Sequence, residues 1–314
     1  MTRLIFWRLV QLPFLLLIIY TVTFILAWAV PGNPLEREGR KPPPEIMEKM
    51  KAAYSLDNPY RCYFEYLLGK KNKDNEREGG VVRGNLGPSM VYKDWDVTQI
   101  IADAFPVSLQ LGLAAILLAL LIGVPAGVIG AVRRDTLWDW STLSVALVGI
   151  SLPSFVVGSV LLMLFVLNLS WFPIGWGSLG QLVLPAVTLS LPFAAYIARL
   201  TRLGMMDVLG SDFIRTARAK GLTEGRVIMK HALKVAFLPV LSFLGPAAAA
   251  AMTGSFVVEK VFNIPGMGQH FVDAVLNKDL FLIMGVVLVY ATLLILFNLL
   301  VDVSYHLVDP RIEQ

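Results

Sequence analysis

Six apolar runs divide this chain, and each is about long enough to cross a lipid bilayer. They lie at Val10–Val30, Leu109–Val132, Leu143–Leu167, Val183–Leu200, Val235–Val258 and Phe281–Val301. A helix rises 1.5 Å per residue, so about 20 residues cover roughly 30 Å of hydrocarbon. Each run therefore predicts one continuous spanning helix. The fourth run is the shortest and contains Pro185 and Pro192. Its boundary is the hardest to place, because proline frees backbone carbonyls that neighbours or water must satisfy. The first run also imitates a secretory leader, with Arg3 and Arg8 ahead of it and Ala27-Trp28-Ala29 near its end. Its apolar stretch exceeds the about 7–15 residues of a leader's core, so it is read as a retained helix.

One long polar segment, Pro31–Thr98, interrupts the pattern. Pro42-Pro43-Pro44 followed by Glu45–Ala53 predicts a stop and then a short helix. The segment is read as a small extracytoplasmic subdomain, with a flexible linker as the alternative. A loop of this length can cross the membrane whatever its charge.

Lysine and arginine in the short connections set the orientation. The second connection carries Arg133 and Arg134. The fourth carries Arg202, Arg215, Arg218, Lys220, Arg226, Lys230 and Lys234 against Asp207, Asp212 and Glu224. Both are cytoplasmic if the N-terminus is, and Arg3 and Arg8 agree. The third connection, Ser170–Gly180, is uncharged and faces out. In the C-terminal tail Asp309 and Glu313 outnumber Arg311. Acidic residues count little in this rule, so the tail is placed inside.

Composition supports lipid as the solvent. Of 314 residues, 56% are apolar and 16% charged, where a soluble domain carries about 25% charge. Mean hydropathy is +0.66 and the pI is near 9.1. The basic residues sit between apolar runs rather than in an aromatic-studded patch, so nucleic acid is not an expected partner. Cys62 is the single cysteine and forms no disulfide within the chain.

Catalytic signatures are missing from the sequence. There is no G-x-x-x-x-G-K-[ST] loop to cradle nucleotide phosphates. His231, His270 and His306 lack metal-ligand spacing. Gly149-Ile150-Ser151 lacks the closing glycine of a serine-nucleophile turn and is read as packing. Ionisable residues are sparse in the runs. Arg199 and Glu259 fall at run ends, where long side chains reach water. A proton-coupled carrier would place acids or histidines at mid-span.

The fourth connection holds the most informative stretch, Ser211–Leu222. Ser211 is a suitable N-cap, Asp212 suits the positive helix end, and Gly221 suits the position after the C-cap. Phe213, Ala217 and Lys220 share one face, and Ile214 and Arg218 the neighbouring one. Small Ala217 and Ala219 allow another surface to approach, with Ala217 as the expected closest point. A second helical stretch, Glu224–Lys234, leads to Pro239. Residue type alone fits equally a docking helix and a basic amphipathic helix lying on lipid.

Arg215-Thr216-Ala217-Arg218-Ala219-Lys220-Gly221-Leu222, then His231-Ala232-Leu233-Lys234 and Leu238-Pro239-Val240, strongly resembles the cytoplasmic coupling motif of ABC importer permeases. The variant is that of the oligopeptide/dipeptide family, and within it the resemblance is to the first oligopeptide permease subunit. Arg215 and Thr216 replace the Glu and first Ala of the general motif, and Ala217 and Gly221 match its second Ala and its glycine. Other family-like pieces are Gly84-Asn85-Leu86-Gly87-Pro88-Ser89 with Tyr92-Lys93-Asp94, Phe105-Pro106-Val107-Ser108, Ser151-Leu152-Pro153-Ser154-Phe155, Gly254-Ser255, Ile264-Pro265-Gly266-Met267-Gly268-Gln269 and Asp309-Pro310-Arg311-Ile312. The least family-like part is about 36–83.

The resemblance implies an all-α integral membrane protein of six transmembrane helices, the type I ABC importer fold, with a small extracytoplasmic insertion after the first helix. On that reading residues 1–30 are the N-terminal transmembrane helix, 31–98 the external subdomain, 99–303 the transmembrane domain with its coupling helix near 211–222, and 304–314 a cytoplasmic tail. The resemblance further implies a pore-forming permease subunit of an ATP-driven, binding-protein-dependent importer in a bacterial cytoplasmic membrane, moving oligopeptides or dipeptides by alternating access. It has no ATP site of its own and is not an enzyme. No cofactor sits in this chain, and ATP and Mg belong to the partners. Those partners are a second homologous permease, two ATP-binding subunits or domains and an external peptide-binding protein, in a lipid bilayer. Within the same family the solute could be nickel or another small molecule. An ion-coupled secondary carrier is the remaining alternative.

The charge pattern makes a topological prediction. With Cys62 replaced, single cysteines at Asp135 and Glu224 stay protected from an impermeant thiol reagent added to sealed cells. Labelling at Glu224 from outside would overturn the orientation.

Overall fold

The apolar runs become helices, though not all with the continuity their lengths predict. The computed structural model describes residues 2–30, 44–71, 77–92, 94–253 and 255–308. Pro42, Pro43, Lys93, Gly254 and the terminal Asp309-Pro310-Arg311-Ile312 lie outside the described residues. Helices α1 (Thr2–Ala29), α2 (Pro44–Ala53) and α3 (Pro59–Leu68) come first. A two-stranded antiparallel hairpin follows, β1 (Lys70–Lys71) with β2 (Arg77–Glu78). Then come α4 (Val97–Val132), α5 (Leu137–Ser151), α6 (Ser154–Leu161), α7 (Leu179–Leu209), α8 (Asp212–Ala219), α9 (Glu224–Arg226), α10 (Leu233–Ala236), α11 (Leu238–Met252), α12 (Phe256–Phe262), α13 (Met267–Leu276) and α14 (Leu280–Val308).

Four helices are long and apolar enough to span a membrane, and counting each of two bent pairs as one span gives six. The third run is not one straight helix as expected. It breaks between Ser151 and Ser154, and its two halves differ in direction by 102°. Pro153 is the cause: it has no N–H to give and forces Leu152 to extended backbone, φ −80° and ψ 126°. Beyond α6 the chain winds on as a π-helix over Leu162–Asn168. The fifth run also departs from expectation. A 55° bend separates Glu224–Ala236 from Leu238–Met252, with Pro239 in the first turn of α11. The span ends at Met252, and residues up to Val258 fall partly in the separate helix α12. The fourth run, expected to be the shortest, is an uninterrupted helix of 31 residues with both prolines inside it. A capping box between Ser178 and Gln181 starts it. It also runs past the expected connection, so Arg202 and Asp207 are helical rather than in a loop.

The chain divides into two compact units. The first comprises Met1–Phe6, Ser108–Pro265 and Leu293–Gln314. Helix α7 is its central element and touches α5, α6, α10, α11 and α12. Helix α4 presses against α7 almost backbone to backbone. Gly123 and Gly127 lie one turn apart, and a Cβ on them would fall 2.6 Å from the Ala194 carbonyl oxygen and 2.5 Å from that of Ala198. Small residues at this spacing let membrane helices approach closely, which matters because lipid gives helices no hydrophobic reason to associate. Arg202 on α7 donates two hydrogen bonds to Asp139 on α5, at 2.6 and 2.8 Å. Both partners are largely buried, and the fork geometry holds α5 against α7 with a fixed orientation.

Glu259 corrects an expectation. It does not reach water from a span end; its exposure is 0%. Ser108 donates to its Oε1 at 2.9 Å, tying α4 to α12. A buried carboxylate needs such donors, since desolvation without them costs several kcal/mol.

The second unit comprises Trp7–Val107 and Gly266–Thr292. The described part of the long polar segment packs here. Asn58 caps α3 by accepting from the Tyr60 and Arg61 amides. Tyr20 of α1 donates to the Tyr63 carbonyl at 2.6 Å, and Tyr20, Phe24, Tyr63, Tyr66 and Phe281 form one aromatic cluster. Asp279 is the polar anchor. Its Oδ1 accepts from the Leu282 amide at 3.1 Å, capping α14, while its Oδ2 accepts from Ser89 Oγ and the Met90 and Val91 amides. The Gly84–Ser89 motif is thus a turn that pins residues 89–91 to the start of α14.

Two predictions follow from this packing. Gly127→Leu forces α4 off α7, at a cost of about 1–3 kcal/mol, and lowers the unfolding midpoint in detergent. Gly225→Leu, at a glycine with nothing within 4 Å of an added Cβ, leaves the midpoint in place. The second prediction concerns Cys62. Burial, then the nearby Glu65 carboxylate, pushes its thiol up to about 12. The thiolate is the reactive form, so maleimide labelling of the folded protein stays slow over roughly pH 7–9 and becomes fast on denaturation.

Candidate functional site

Helix α8 begins at Asp212 with Ser211 at the N-cap position. The Ser211 hydroxyl does not cap as expected; it donates backwards to the Val208 carbonyl at 2.6 Å. The C-terminal end follows expectation closely. Gly221 has φ +75°. Its amide donates to the Arg218 carbonyl at 2.9 Å, and the Leu222 amide to the Ala217 carbonyl at 3.4 Å. That pair of bonds is a Schellman turn, which needs a left-handed residue after the C-cap. Nothing lies within 4 Å of a Cβ built on Gly221, so the demand for glycine is conformational rather than steric.

The two faces of α8 separate cleanly. Ile214 is 0% exposed and Ala217 is 7% exposed. They join Ala131, Met205, Val227, Ala232 and Ala236 in one buried cluster, with Leu222 and Leu209 packed against it. The opposite face carries Phe213, Arg215, Thr216, Arg218, Ala219 and Lys220, all exposed. Phe213 alone among these is a large apolar side chain, and it is 46% exposed. Ala217, expected as the closest point to another surface, is therefore turned into the chain's own core. The reason is the i, i+3 pairing of Ile214 with Ala217, the most apolar stripe the helix has. Phe213, Thr216 and Ala219, spaced three residues apart in succession, are exposed on the opposite side.

Charge fixes the ends of the element. Arg218 donates to both Glu224 oxygens, at 2.8 and 3.2 Å, bridging α8 to the start of α9. The Glu224 hydrogen bonds raise the Arg218 guanidinium's affinity for its proton. Arg215 stays within 3.5 Å of Asp212 on its own helix. The stretch after the turn, expected as a regular helix over Glu224–Lys234, starts as α9 and then widens into a π-helix over Val227–Ala232. Its buried Val227 and Ala232 complete the seat under α8. The eight sequence-predicted residues Arg215–Leu222 thus stand together at one place, six outward and two, Ala217 and half-buried Leu222, inward. Met205 and Val227, which set the direction of the helix, were not singled out from sequence. The apolar pair Ile214 and Ala217 was the signal that could have found this seat.

Among the described residues, no three His, Cys, Asp or Glu side chains gather where they could hold a metal ion.

Residues 123–314 match the family model described as binding-protein-dependent transport system inner membrane component, and residues 1–112 match the model for the N-terminal part of such membrane components. The oligopeptide transport system permease protein OppB of Haemophilus influenzae is 42% identical over 317 residues, covering 100% of both chains. OppB of Escherichia coli K12 is 44% identical over 302 residues, covering 95% of each. The dipeptide transport system permease protein DppB of Bacillus subtilis is 40% identical over 299 residues, covering 95% of this chain and 94% of its own. Among solved structures, a chain of the inward-facing MetNI methionine ABC transporter superposes with a TM-score of 0.52 at 19% identity, covering 67% of this chain and 96% of its own. The chain therefore belongs to the family of binding-protein-dependent transport system inner membrane components.

Proposed function

We propose that this chain is one permease half of an ATP-driven importer for oligopeptides or dipeptides, and that α8 transmits the work of an ATPase partner to the spans. The carrying observation is the rigid seating of α8. Ile214 and Ala217 lock it to the C-terminal end of α7 and to the π-helix Val227–Ala232. A push on α8 is thereby delivered to α7 and, through α10, to the bent span that α11 continues. The relatives named for oligopeptide and dipeptide transport support the choice of solute.

The partners follow from that reading. A second permease completes the pore, two ATP-binding subunits or domains carry ATP and Mg, and a binding protein delivers the peptide on the far side. The α8 face is cytoplasmic, as are both termini, and Pro31–Thr98 is external. ATP binding closes the ATPase pair, draws the two coupling helices together and biases the pore toward its outward-open state. Transport then works through differential stability of two states.

The test uses the two faces of α8. Ala219→Glu places bulk and charge on the outward face beside Phe213 and Thr216. It leaves the permease folded and paired but abolishes co-purification of the ATPase and peptide uptake. Ala217→Glu instead buries a charge in the chain's own core, at a cost of several kcal/mol, and lowers the unfolding midpoint. Wild-type ATPase association and uptake by Ala219→Glu would remove α8 from the coupling role.

A further inference from the structure

The exposed face of one spanning helix differs in kind from that of α5. Helix α5 exposes Trp138, Trp140, Val145, Leu147, Val148 and Ile150, as expected of a surface bathed in lipid. Helix α11 exposes no large apolar side chain at all. Its outward stripe is Pro239, Ser242, Pro246 and Ala250. Tyr196 of α7 lies alongside, its ring 4.4 Å from that of Phe243 on α11 and 41% exposed. One turn further on, Arg199 is exposed on the same stripe of α7. Among the described residues, Arg199 makes no hydrogen bond or ion pair, whereas Arg202, three residues along, is fully engaged by Asp139.

Arg199 lies at the end of the fourth apolar run but inside the longer helix α7, and a cation there without a protein partner belongs against water rather than hydrocarbon. Arg199 stands about 4.5 Å along the helix axis from Arg202, toward the external end of α7 in the proposed orientation. Helix α11, packed against α7, presents small side chains and Ser242 there rather than large apolar ones, while Leu203 one turn along α7 stays exposed. Its guanidinium offers five donors in a plane, the arrangement that takes a carboxylate with two parallel bonds.

We propose that Arg199 lines the translocation pathway and binds a carboxylate of the passing solute, with Tyr196 one turn away on the same helix. This rests on the peptide reading above, and the carboxylate is then a peptide's C-terminal group. The residue sets specificity: it favours a solute that ends in a free carboxylate over one that does not.

The experiment uses the full transporter in liposomes, with this chain, its second permease, the ATPase subunits and the binding protein. Uptake is measured for a tripeptide and for the same tripeptide amidated at its C-terminus. Arg199→Gln assembles, keeps its ATPase activity and loses about tenfold in uptake of the free-carboxylate peptide, the size of one charge-assisted hydrogen bond. Uptake of the amide is unchanged from the native complex. Arg199→Lys recovers most of the loss. Equal losses for the two peptides would overturn the proposal by making Arg199 structural. Native uptake of both by Arg199→Gln would overturn it by returning Arg199 to the lipid surface. No uptake of either peptide by the native complex would overturn the peptide reading and this inference with it.

Discussion

The close approach of α4 to α7 is the contact on which the larger unit depends. In lipid, apolar side chains gain nothing by leaving their surroundings, so helices must associate through packing and polar contacts. Gly123 and Gly127 remove the side chains that would hold the two backbones apart. With α4 in place, α7 can run for 31 residues in spite of Pro185 and Pro192, because neighbouring helices surround it. The Arg202–Asp139 fork then fixes α5 on the same helix. Helix α7 is in this way a mast, and the elements that touch it share its position.

That arrangement also gives α8 its seat. A helix of eight residues cannot hold itself together in water. It is held here by Ile214 and Ala217 from one side and by the Schellman turn at Gly221 from its end. The π-helix Val227–Ala232 is unusual geometry directly beneath it, and such wide turns recur at functional places in helices. Such seating is what the coupling role proposed for α8 requires. A helix floating on a lipid surface would pass little of a partner's motion to the spans.

Proline and buried charge mark the places where the spans depart from straight rods. Pro153 turns one span through 102°, and Pro239 opens the helix after the 55° bend. Freed backbone groups at such breaks are tolerated only where protein or water lies beside them. The stripe of Ser242, Pro246 and Ala250 on α11 lies just beyond the second bend. Glu259, held by Ser108, shows the other device, a carboxylate buried beside a donor to tie one helix to the next.

Much of this was legible in the residues alone. Four of the apolar runs became single helices long enough to span and two became bent pairs, because the thickness of the hydrocarbon sets a length that sequence either meets or does not. The motif Arg215–Leu222 pointed to the family and placed a short helix ended by Gly221, since only a residue tolerant of positive φ can close that turn. Which way the helix faces was decided by tertiary structure. Ala217 is small on any reading, but only the positions of Met205, Val227 and Ala236 show that it points inward. The same is true of Glu259, which periodicity put at a water-accessible end, and of Arg202, which charge counting put in a loop. Periodicity gives the length and the apolar side of an element. It does not say which other element will be waiting on that side, and that neighbour determines whether a charge is paired, buried or left facing water.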